Sequence, residues 1–159
     1  MRHRMSGLLM LAGILGSGSA VASPLPVIAG KWQCTPQQER PDEQSWVTYD
    51  FKPDGTVKSQ EWVRYEHEQQ TQLEYQLFVD YRYVVKESDY MLTPVKLSRE
   101  IIQDPNHADP FDYAARRDLT GYRIFFKPTL EDDQAIFDMW YHITPEKHFF
   151  MQCRRDSVA

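Results

Sequence analysis

A chain of 159 residues with 23 acidic against 18 basic side chains, net charge −5, is one domain's worth of protein and too acidic to attract nucleic acid, whose phosphates would repel it. Its 42% hydrophobic and 13% aromatic content supplies ample core material. There is no His-x-x-x-His pair, Gly-x-Ser-x-Gly elbow, phosphate loop or dinucleotide fingerprint, so no catalytic, cofactor or metal role is expected.

The first 22 residues read as a signal peptide. Arg2, His3 and Arg4 give a basic start, and Leu8 to Leu15 form an apolar run well short of the roughly 20 residues a spanning helix needs. Ala20-Val21-Ala22 then has the small-x-small form of a cleavage site. No cysteine lies near the cut, so a lipid anchor is not expected. Cleavage before Ser23 leaves residues 23–159 as a single domain, periplasmic or secreted, without a membrane span. Losing Arg2 and Arg4 moves the net charge from −5 to −7.

The mature chain alternates apolar and polar residues with period two, broken at turn residues. Strands are predicted over about Gly30–Cys34, Ser45–Phe51, Thr56–His67, Leu73–Val85, Tyr90–Ile102, Gly121–Lys127, Gln134–Ile143 and His148–Arg154. Lys52-Pro53-Asp54-Gly55 and Lys86-Glu87-Ser88-Asp89 are turn signals. Pro94 requires an edge, a bend or a bulge in the fifth strand. Between Gln103 and Asp118, Asp109-Pro110 fits a helix start with Phe111, Ala114 and Ala115 as its apolar stripe; a plain surface loop fits as well. The predicted fold is all-β, an antiparallel up-and-down eight-stranded barrel with one short helix or loop insertion, because closure removes exposed strand edges. The two cysteines, Cys34 and Cys153, are expected to form a disulfide in an exported protein.

The alternation sends Val47, Tyr49, Phe51, Phe126, Phe137, Met139, Ile143, Phe149 and Met151 inward with the cysteines. Tyr75, Tyr81, Tyr83, Tyr122 and Tyr141 also fall inside, as do two charged residues, Glu61 and Arg99. These seven are the candidate ligand contacts, since buried hydroxyls and charges need partners. Trp46, Trp62, Phe78, Phe125, Trp140 and Phe150 take outward positions. Trp46, Trp62 and Trp140 are the candidate partner surface if contiguous, and otherwise are covered by other parts of the chain. His142 and His148 flank the last hairpin, and Asp104, Asn106, His107, Asp109 and Asp112 crowd one loop. Neither group has the order of a metal site, and both read more simply as solvated or turn-capping residues.

Gly30-Lys31-Trp32, opening the first strand of such a meander, resembles the Gly-x-Trp motif of the lipocalins. In that family the tryptophan packs at the closed end of the barrel under an arginine that follows the last strand; Arg154 and Arg155 stand there in this chain. If Cys34 opposes Cys153 on antiparallel first and last strands, Trp32 opposes Arg155, as the resemblance requires. The family's Thr-Asp-Tyr motif has no counterpart beyond Phe137-Asp138-Met139. The resemblance implies a non-enzymatic binding protein for a small, largely apolar ligand. The alternative is an exported inhibitor or immunity-type protein that binds another protein through outer aromatics.

Overall fold

A computed structural model describes residues 28–109 and 121–156. The predicted signal peptide, and with it the Ser23 boundary, lies outside these residues, as do Asp112 and most of the predicted helix or loop insertion. Eight strands follow in chain order: β1 (Gly30–Pro36), β2 (Glu43–Phe51), β3 (Thr56–His67), β4 (Gln70–Lys86), β5 (Asp89–Gln103), β6 (Ile124–Glu131), β7 (Gln134–Tyr141) and β8 (His148–Arg155). Each pairs antiparallel with the next, and β8 returns to β1, closing the barrel. No helix among the described residues is long and apolar enough to cross a membrane.

Local chemistry sets the turns. Gly55 takes φ +86°, while the Asp54 carboxylate accepts from Thr56 N at 3.0 Å and Thr56 Oγ1 at 2.7 Å, tying off the β2–β3 hairpin. Glu68 and Gln69 both take positive φ, 49° and 62°, which turns β3 into β4 in two residues with the twist a hairpin wants. Pro94 resolves into a bulge: Asp80 faces Lys96 but Tyr81 faces Pro94, which leaves Val95 unpaired and 60% exposed. That extra residue reverses the parity of β5, so Tyr90 and Leu92 point inward before it, and Leu97, Arg99 and Ile101 after it.

Two expectations need correction. Ile143 is not inside: β7 stops at Tyr141, the chain turns through Thr144, and Ile143 is 66% exposed. The sixth strand begins at Ile124 and runs to Glu131, later than the pattern suggested, because Gly121 at φ +77° is a turn residue and Pro128 is accommodated beyond the last β5 partner.

The barrel is packed at the end where β1 starts and β8 finishes. Trp32, Phe51, Val57, Leu92, Phe126, Phe137 and Met139 are almost wholly buried there. Ring centroids lie 5.0 Å apart for Phe126–Phe137 and 5.8 Å for Trp32–Phe137, within the range of favourable aromatic packing. Cys34 and Cys153 are directly opposed and bonded, with both sulfurs inside the barrel. Disulfides persist in oxidising compartments, so the bond points away from the cytoplasm.

Trp32 opposes Arg155. The indole donates to the Ile28 carbonyl at 2.9 Å, and the Arg155 guanidinium lies 4.3 Å over the ring while donating to Ala29 O at 2.6 Å. Gly30 makes this possible. It holds φ +117°, and a Cβ there would sit 3.2 Å from Arg155 Nη1.

Candidate ligand chamber

Away from this floor the inward positions change character. Glu61, Tyr81, Leu97, Arg99, Ile101, Tyr141 and Phe149 point into the closed barrel yet keep part of their surface accessible. The floor is thus the tightly packed end of the barrel, and the upper part is the more accessible one. A second, smaller core of Val63, Leu73, Tyr75 and Leu77, backed by Ile101, forms one wall of it.

Glu61 occupies the centre of that region. It is opposite Val47 on one side and Leu77 on the other, so its carboxyl rises from a row of apolar neighbours. Burial, with a smaller push from Glu43, lifts its pKa to about 7. No hydrogen bond or cation from the described residues opposes that shift. The charge of Glu61 is felt by the hydroxyls of Tyr49, Tyr65, Tyr75, Tyr81 and Tyr141, all of which titrate above the usual tyrosine range, first because they are buried. The Tyr65 hydroxyl lies near that of Tyr75, and the Tyr81 hydroxyl near Ser59, whose own hydroxyl donates to Val79 O at 3.4 Å. The result is one carboxyl amid phenols.

Arg99 follows Glu61 across the sheet, with Leu77 between them. Its guanidinium turns to Asp109, donating through Nε at 2.8 Å and through an Nη. Asp109 is placed by its own loop: the Asp104 carboxylate accepts from the backbone N–H groups of Ala108 and Asp109, and Asn106 donates to Gln72 at 2.7 Å. The described part of this loop is thus a capped turn whose outer acid neutralises Arg99. No group of three or more potential metal ligands forms among the described residues.

The remaining predicted contacts divide. Tyr122 packs edge-on to His142 and lies 5.6 Å from Tyr141, at the entrance beside β6 and β7. Tyr83 belongs elsewhere: its hydroxyl donates to Lys52 O at 2.8 Å and its ring meets Phe51 edge-on, at the floor. Sequence reasoning placed Tyr49 inside but not among the ligand contacts, and passed over Tyr65. Both sit on inward parity, Tyr65 four residues beyond Glu61 on the same strand, and that spacing was the signal that could have found them.

On the outer face the tryptophans separate. Trp46 and Trp62 stack at 6.3 Å on β2 and β3, with Arg64 over Trp62. Trp62 and Arg64 both donate to Glu74. Burial alone would raise the Glu74 carboxyl, but those bonds and the Arg64 charge hold it below its ordinary value. Trp140 instead stacks between Phe125 and His148 on β6 to β8, and Asp138 pairs with His148. Strands β3 and β7 are four apart in an eight-strand ring, so the two groups lie on opposite walls. A mixed-charge groove over β1 to β4, lined by Lys31, Asp50, Lys58, Phe78 and Asp80, joins neither.

No protein-family model matches this chain, and no curated protein matches it in a sequence search. What the fold itself defines is a class: a closed, antiparallel, up-and-down eight-stranded barrel with an internal disulfide.

Proposed function

We propose that this is an exported, lipocalin-like binding protein that holds one small, largely apolar molecule in the upper chamber and performs no chemistry on it. The observation that carries the reading is the contrast inside one barrel. The floor is packed solid around Trp32 and Phe137, while Tyr81, Tyr141 and Glu61 above it keep accessible surface. Barrels of this size fill with side chains or hold one small ligand, and a chamber with apolar walls and few polar groups is the usual form of a ligand site. The Arg155–Trp32 contact and the Gly30 that admits it support the lipocalin-like plan.

Native mass spectrometry of protein recovered from an oxidising compartment, followed by titration with a neutral environment-sensitive dye, tests this. A retained small molecule, or one dye bound per chain and lost in Tyr81→Trp, is the expected result. A chain that carries nothing and binds no dye would end the proposal. The alternative, a protein-binding inhibitor, is less favoured, because Trp46 and Trp62 stand across the barrel from Trp140 and form no single surface.

A further inference from the structure

We propose that the chamber selects a small organic cation, an ammonium group on a largely apolar body, with Glu61 as its counter-charge. This rests on the binding reading above and adds the chemical class of the ligand.

Glu61 faces inward from β3, and the groups around it can be taken strand by strand. From β2 come Tyr49 and Glu43; from β3, Tyr65; from β4, Tyr75 and Tyr81; from β7, Tyr141. These are neutral phenols and a second acid. Glu43 is itself held by Arg40 at 3.0 Å. From β5 comes Arg99, whose guanidinium is engaged by Asp109. From β1 and β8 come the bonded cysteines, and Arg155 is spent at the floor on Trp32 and Ala29. Glu61 therefore stands inside the barrel with no described cation beside it.

Three ligand classes can then be ranked. An anion would meet the Glu61 charge with Arg99 already occupied. A wholly apolar molecule would strip water from the carboxylate and return nothing to it. An ammonium would give the carboxylate a charge-assisted hydrogen bond and present its positive charge to the electron-rich faces of the tyrosines. Only the last turns an isolated carboxyl into a paired one.

The test compares 2-phenylethylamine, its neutral analogue 2-phenylethanol and the anion phenylacetate. Each is titrated calorimetrically into the mature disulfide-bonded protein at pH 8, beside a neutral dye. The expected result is that the amine binds at least about tenfold more tightly than the alcohol, a difference of 1.4 kcal/mol. Glu61→Gln should remove that preference, so that amine and alcohol bind the variant within about threefold of each other, and an unchanged near-ultraviolet circular dichroism spectrum shows that the variant is folded. Acidification from pH 8 to pH 5 should weaken the amine alone, because Glu61 takes up its proton while the amine keeps its own. Equal affinity for amine and alcohol, tighter binding of phenylacetate, or an amine preference that survives Glu61→Gln would overturn the cation assignment and leave the binding reading intact. No binding of any probe or of the dye would overturn both.

Discussion

Trp32, Gly30 and Arg155 act as one unit, and each should fail in its own way. Trp32→Ala removes a fully buried indole and is expected to cost roughly 3–5 kcal/mol in denaturant unfolding. Arg155→Ala should cost less, about 0.5–2 kcal/mol, the range of a cation–π contact. A double-mutant cycle of Trp32→Phe with Arg155→Ala should show non-additivity, and additive effects would refute the pairing. Gly30→Ala should destabilise by about 1–3 kcal/mol, since the chain there holds φ +117° and a methyl would crowd the guanidinium. Glu61 behaves oppositely. With its pKa raised from 4.5 to about 7, the folded chain keeps a proton that the unfolded chain has lost across that window, so stability falls as pH rises through it. Glu61→Gln should thus be more stable than the parent at pH 8, by on the order of 3 kcal/mol at 1.36 kcal/mol per unit, and show no such gain at pH 4. A variant that is no more stable at pH 8 would mean that the carboxyl finds a compensating partner.

Among the elements, β5 shows both how far periodicity reads and where it stops. Strict alternation located all eight strands within a few residues because most of them bury one face only. The exceptions are local. Pro94 announced an irregularity, but whether it became an edge, a bend or a bulge depends on the partner strand, and β4 decided for a bulge at Val95. Ile143 reads as one more inward residue until the turn at Tyr141 removes it from the sheet. Of the candidate site, Glu61, Tyr75, Tyr81 and Tyr141 were visible as inward parity. Their gathering around Glu61 was not, since it depends on strand stagger around the barrel. Nor was the Arg99–Asp109 pair, which joins a strand to a loop of no fixed pattern. Deleting Val95 should test the bulge. It would set Lys96 directly after Pro94, opposite Asp80 and Tyr81 as now, so Leu97, Arg99 and Ile101 should stay inward at a cost of no more than about 1 kcal/mol, and loss of amide protection from Lys96 to Ile101 would refute the bulge. Protection from Tyr90 to Leu92, which pair with β6, should persist.

At the scale of the whole molecule, the β1–β8 ladder that closes the barrel is reinforced by one covalent link across 119 residues of sequence. The chain-entropy model assigns a loop of this length about 4–5 kcal/mol, and Cys34→Ser with Cys153→Ser should lose up to that amount in equilibrium unfolding. The burial of both sulfurs has a further consequence for timing. A thiolate in solution must touch a sulfur to break the bond, and neither sulfur is within reach while β1 and β8 are zipped. Reduction of the folded protein should therefore be limited by the fraction of chains in which the barrel is open, and sub-denaturing urea should speed it far more than it speeds reduction of an exposed disulfide. The same geometry runs in reverse during biogenesis. Cys34, in the first strand, is made early and must wait for Cys153, in the last, before the bond can form. Once the two join and the barrel shuts over them, the bond is a record that the first strand and the last have met.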